Sequence, residues 1–208
     1  MNIQTKRTSI VGPAGTLECA VDAPLDTAPR AVMVICHPHP QHGGTMDNKV
    51  VQTLARAALQ LGWRAVRFNF RGVGGSAGAW DEGRGEVDDT LTVIEAQRDP
   101  ALPLVLAGFS FGGAMAAIAA ARLPEGRRAQ RLLLVAPSSR NFAMPAVPED
   151  TVLIHGEADD VVPLSASLDF ARPLSLPVIV VPGVGHFFHG QLPLLKRLVV
   201  RELGQALH

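Results

Sequence analysis

The chain has no excess of charge of either sign. Nineteen Lys and Arg balance nineteen Asp and Glu over 208 residues, and the two kinds are interspersed. No basic face for nucleic acid or an anionic membrane is expected from such a pattern. Cysteine is scarce too. Cys19 and Cys36 lack metal-site spacing and read as small buried hydrophobes rather than a disulfide framework, so a reducing cytoplasm is the simplest home. The segment Met1 to Val11 carries Lys6 and Arg7 but lacks the apolar core of a signal peptide. Every apolar run is broken by Pro, Gly or charge before it reaches spanning length, so a soluble, unexported protein is expected. Internal repeats and low-complexity tracts are also missing, and the length suits one α/β domain over 1–208 without a second of normal size.

What is present is an alternation of strand and helix patterns. Thr8 to Val11 and Leu17 to Val21, separated by Gly12-Pro13-Ala14-Gly15, read as a hairpin. Apolar strands follow at Ala31 to Cys36, Trp63 to Phe68, Leu102 to Ala107, Arg131 to Ala136, Thr151 to His155 and Val178 to Val181. Between and after them, helical spacing marks Asn48 to Leu61, Glu86 to Gln97, Ala114 to Arg122, Ala166 to Phe170 and Gln191 to Leu203. Eight strands alternating with helices predict a mostly parallel eight-stranded sheet in a three-layer α/β/α sandwich. Pro137 to Asp150 is long enough for a loop or one short helical turn over the site, but not for a cap domain.

The polar clusters fall at the carboxyl ends of these strands, where such folds place their sites. Gly108-Phe109-Ser110-Phe111-Gly112 joins an apolar strand to an Ala-rich helix. At such a turn the central serine takes strained dihedrals, the flanking glycines let strand and helix approach, and the helix N-terminus favours an anion above Ser110. The competing reading is a plain turn in which Ser110 caps the helix. A serine hydroxyl needs a general base and a group that orients it. Asp159 and Asp160 follow one later strand, and His186 and His189 follow the next, in the order nucleophile, acid, base. His37, His39 and His42 suggest a metal cluster, but Pro38 and Pro40 constrain that loop and a complete serine machinery leaves a metal without a task, so neither metal nor cofactor is expected.

These features together resemble the α/β-hydrolase superfamily over nearly the whole chain. The resemblance is nearest to its small cap-less hydrolases, through the His-Pro-His-Pro segment His37 to Pro40, the stretch Asn69 to Gly72, and His186 to Phe188. It implies Ser110 as nucleophile, Asp159 as acid in a His-Gly-x-x-Asp pattern that starts at His155, and His186 as base, with Asp160 a loop carboxylate and His189 a rim residue. Phe111 then supplies one oxyanion N–H. The loop after the third strand supplies the other, from His39, because Pro38 and Pro40 have none. The implied activity is hydrolysis of a small or medium carboxylic ester through an acyl enzyme, with an acyl thioester as the alternative and a non-catalytic binding protein as the rival from another class.

Met46, Phe142, Met144 and Phe187 are the candidate substrate contacts, as an apolar pocket converging on strand ends. Asp47 reads as a cap or dipole partner of the following helix, and Arg71 as a structural ion pair with Asp88 or Asp89. Gly72 to Gly78 lacks the Lys-Ser/Thr ending of a nucleotide loop. A pairing edge at the N-terminal hairpin or near the C-terminus allows a homodimer as well as a monomer.

Overall fold

The computed structural model describes residues 5–204. Strand β1 (Lys6–Gly12) turns back into β2 (Gly15–Asp22), and these pair antiparallel. The remaining strands are β3 (Val32–Cys36), β4 (Arg64–Phe68), β5 (Leu104–Phe109), β6 (Arg131–Val135), β7 (Val152–Gly156) and β8 (Val178–Val181). They form one sheet in the order β1-β2-β4-β3-β5-β6-β7-β8, parallel from β4 onward and antiparallel at its β1 and β2 edge. The helices are α1 (Lys49–Gln60), α2 (Arg84–Gln97), α3 (Phe111–Arg122), α4 (Leu164–Ala171) and α5 (Leu192–Gly204).

The central strands β3 and β5 are buried at every residue, because helices cover both faces of the sheet. Side-chain alternation splits the core in two. Met33, Ile35, Val105 and Ala107 face α1 and α5, meeting Leu54, Ala58, Leu195 and Val199. Val32, Val34, Leu104 and Leu106 face α2 and α3, meeting Val87, Ile94, Met115 and Ala119. The expected three layers are thus present. Residues 137–150 form a loop without a helix, so no cap stands over the strand ends. No helix among the described residues is long and apolar enough to cross a membrane.

Element ends differ from expectation by a few residues. The cap of α1 is Asn48, whose Oδ1 accepts from the amides of Val50 (2.9 Å) and Val51 (3.4 Å). Asp47 does not cap the helix; its carboxylate is taken by the Arg7 and Arg67 guanidiniums, at 2.6 and 3.1 Å. Asn48 wins because it sits at the residue where the backbone turns from extended to helical. Arg71 meets Asp89, not Asp88, through two side-chain bonds of 3.0 and 2.8 Å.

Candidate active site

Ser110 sits between the end of β5 and the start of α3 with φ +56°, a left-handed conformation that non-glycine residues seldom adopt. The tightness of the turn explains its glycines. A Cβ on Gly108 would lie 2.0 Å from the Gly112 carbonyl oxygen, and one on Gly112 would lie 2.3 Å from the carbonyl oxygen of Cys36. The second contact also shows how closely the first turn of α3 packs on the end of β3. The Ser110 hydroxyl makes no capping bond to the helix, which removes the reading of Ser110 as a cap.

Two further loops are tied together beside the elbow. Asp159, after β7, accepts from the amides of Val161 (2.9 Å) and Val162 (2.7 Å) on Oδ1, and from His186 Nδ1 at 2.6 Å on Oδ2. Backbone bonds lock the loops in register: Glu157 N–H donates to Val181 O and Ala158 N–H to Val184 O. Gly156 has no side chain because a Cβ there would meet Val184 O at 2.2 Å. His186 and Asp159 are both buried. The His186 ring lies 4.7 Å from that of Phe109, the residue that precedes Ser110, which sets the histidine against the elbow. Asp160 and His189 are exposed. The structure thus joins Asp159 to His186, sets His186 against Phe109 at the elbow, and leaves Asp160 and His189 exposed.

Burial alone would push the Asp159 carboxyl up. Hydrogen bonds from His155, His186 and the Val162 amide, with the charge of the His186 imidazole, outweigh it and hold this group well below the usual carboxylate range. A carboxylate accepting from Nδ1 fixes the His186 tautomer and leaves Nε2 free to take a proton.

The loop after β3 lies on the other side of the elbow. Among the described residues, neither the Phe111 nor the His39 backbone N–H donates a hydrogen bond, and the two side chains adjoin with ring centroids 5.2 Å apart. His37 is wholly buried. Its Nδ1 donates to Pro38 O at 2.6 Å and its Nε2 accepts from the Phe70 amide at 3.1 Å, so it pins this loop to the end of β4. His39 instead stacks on His42 at 4.4 Å and lies tilted against Trp80 at 4.6 Å. No three His, Cys, Asp or Glu side chains are grouped to hold a metal ion among the described residues.

Burial pushes the His37 imidazole down to about 4, with the neighbouring His39 adding to the effect and the bond to Pro38 opposing it. Folded protein therefore refuses a proton that the unfolded chain accepts below about 6.5, so stability is full above that value and falls toward pH 4. The slope cannot exceed about 1.4 kcal/mol per pH unit for this one group. Urea unfolding at pH 7 and pH 5 is expected to show lower stability at pH 5, and His37→Gln should flatten the difference.

The substrate candidates divide. Phe187 is 41% exposed beside His186, with ring centroids 5.0 Å apart. It borders a groove of about 490 Å³ with Val161, Gln191 and His189. Phe142 is half-buried against Phe111 at 5.0 Å, and Met144 packs partly into the core of the same layer. Met46 is not at the cleft. It is fully buried, with its sulfur near Arg7 and its carbonyl held by Arg67, because the turn before α1 points it into the sheet edge. Gly72 to Gly78 is occupied by protein: Glu18 accepts from the Gly75 amide and from Asn69, and Ser76 bridges Asn69 O and the Glu18 amide.

Two residues at the site escaped sequence reasoning. Ser138, after β6, places its hydroxyl 3.4 Å from that of Ser110 and donates its amide to Ser110 O at 3.1 Å. Trp80 joins His39 and Phe111 in one aromatic group. Position at a strand's carboxyl end was the available signal for Ser138. Trp80 lies in the long β4–α2 connection and had none.

The hydrolase family described as serine aminopeptidase, S33, matches residues 27–150 of this chain. The chain belongs to this α/β-hydrolase family. A lidless α/β serine hydrolase from Xanthomonas campestris is 38% identical, with a TM-score of 0.88 over 100% of this chain and 97% of that one. An α/β serine hydrolase homologue from Coxiella burnetii is 39% identical, with a TM-score of 0.83 over 98% and 99% of the two chains. An uncharacterised protein from Rickettsia prowazekii is 31% identical, covering 85% of this chain and 79% of its own. This α/β hydrolase thus has its open strand ends in common with the Xanthomonas campestris relative, which lacks a lid.

Proposed function

We propose that this α/β hydrolase cleaves carboxylic esters of small or medium size by a two-step acyl transfer. The observation that carries the reading is the 2.6 Å bond between His186 and Asp159, held against an elbow whose serine has a strained backbone and no capping duty. His186 Nε2 takes the proton of Ser110 as Oγ attacks the ester carbonyl. The N–H groups of Phe111 and His39 receive the negative charge that develops on the carbonyl oxygen, and the α3 N-terminus adds to that field. Collapse expels the alcohol, which leaves with the proton held by His186. Water, deprotonated by the same imidazole, then releases the acid and frees Ser110.

In the resting arrangement the Ser110 hydroxyl faces Ser138 and makes no hydrogen bond to His186. The hydroxyl must therefore leave Ser138 and come within hydrogen-bond reach of His186 before attack, and ester binding over the oxyanion donors supplies the reason for it. The chain's own groups suffice for every step, so no cofactor enters this reading. Phe142, Met144 and Phe187 supply apolar contacts, and the open site favours small substrates over folded protein. The test is a panel of esters with matching thioesters and amides, assayed with wild type and Ser110→Ala. Serine-dependent turnover of the esters is expected. Turnover confined to thioesters would move the assignment to a thioesterase, and turnover that survives Ser110→Ala would remove it.

A further inference from the structure

A second histidine bears on the same carboxylate. His155, at the end of β7, is wholly buried and is not needed for any proton transfer in the proposed reaction. Its Nε2 lies 2.8 Å from Val162 O and 3.3 Å from Asp159 Oδ2, and its Nδ1 lies 2.7 Å from Ser167 Oγ on α4. Those partners fix the tautomer. Val162 O and the carboxylate can only accept, so Nε2 carries the proton, and Nδ1 accepts from the Ser167 hydroxyl.

The consequence for the acid turn is geometric. Asp159 Oδ1 is held by two amides, whereas Oδ2 has His186 on one side and the His155 N–H on the other. Val162 closes the ring, since its amide donates to Asp159 and its carbonyl accepts from His155. Without the His155 proton, the Val162 carbonyl would lose its donor, and Oδ2 would be restrained from the His186 side alone.

We propose that His155, oriented by Ser167, is a positioning residue that sets the direction of the Asp159–His186 bond and thereby the basicity and aim of His186. This rests on the acyl-transfer reading above. It links helix α4, remote from the elbow in sequence, to the proton-transfer step through four side chains: Ser167, His155, Asp159 and His186.

The test compares His155→Leu, His155→Gln and Ser167→Ala. Leucine removes the donor and keeps bulk. Glutamine places an N–H donor at the reach of Nε2. Ser167→Ala leaves the imidazole and its Nε2 proton in place but removes the hydroxyl that holds the ring's orientation through Nδ1. Loss of a hydrogen bond to a charged acceptor predicts a fall in kcat of about 10- to 100-fold for His155→Leu, with KM little changed. His155→Gln should recover most of it, and Ser167→Ala should lie between. A second readout is the far-downfield proton resonance of the His186 Nδ1–H in its bond to Asp159, expected to shift in His155→Leu and Ser167→Ala and to return toward wild type in His155→Gln.

A purely structural role would lower Tm while leaving the resonance and the kcat per folded molecule unchanged, and that result overturns the proposal. Should His155→Leu fail to fold, Ser167→Ala decides by the same two measurements. If the wild type hydrolyses nothing, the acyl-transfer reading falls. The resonance would still report whether His155 governs the Asp159–His186 bond.

Discussion

Asp159→Asn is expected to lower kcat per folded molecule by about 10⁴, because an amide at this position can offer its N–H to His186 and reverse the tautomer. The carboxylate has no alternative within the site. Asp160 is adjacent in sequence but exposed, while the Asp159 side chain is fully buried against both histidines. Asp160→Asn should therefore leave kcat within about twofold of wild type, as an exposed rim charge worth little to the chemistry. Steady-state kinetics on the two variants, normalised to folded protein by circular dichroism, measure the contrast. Equal losses would mean that the acid has been misassigned.

Gly112→Ala has the second large expected effect, and it falls on the fold. The added methyl would stand 2.3 Å from Cys36 O and 2.5 Å from His37 O, both backbone atoms that cannot swing aside as a side chain would. Relief requires α3 to move off the end of β3, which costs about 3 kcal/mol. It also separates the Phe111 and His39 amides. Soluble Gly112→Ala protein should thus unfold at markedly lower denaturant concentration, and any folded remainder should lose activity beyond its loss of folded fraction. Ala at Gly126, where nothing lies within 4 Å, is the matched control and should be nearly silent.

Much of this architecture was legible because each signal was local. Continuous apolar runs of five or six residues gave the buried parallel strands, and the glycines around Ser110 announced a turn too tight for side chains. The order Ser110, Asp159, His186 could be read because each residue follows its own strand, and parallel strands deliver their loops to one edge.

What stayed hidden depended on contacts across the sequence. Asp47 and Asn48 are both good capping types, and only the backbone at residue 48 decides between them. Met46 has the composition of a pocket residue, yet Arg67 holds its carbonyl and Asn69 its amide, which turns that segment inward. The partners of His155 lie on a loop and on α4, so its sequence neighbourhood offers a spacing and no role. Ser138 approaches Ser110 because β6 lies beside β5, and that adjacency becomes visible once the strand order is known.

In the proposed reaction His186 and Asp159 together activate Ser110. The most direct measurement is intact mass after treatment with a fluorophosphonate probe, run on wild type and on Ser110→Ala. One adduct per chain is expected in the wild type, none in Ser110→Ala, and much slower formation in Asp159→Asn. Folded wild type that stays unlabelled, or an adduct that persists in Ser110→Ala, would contradict that activation.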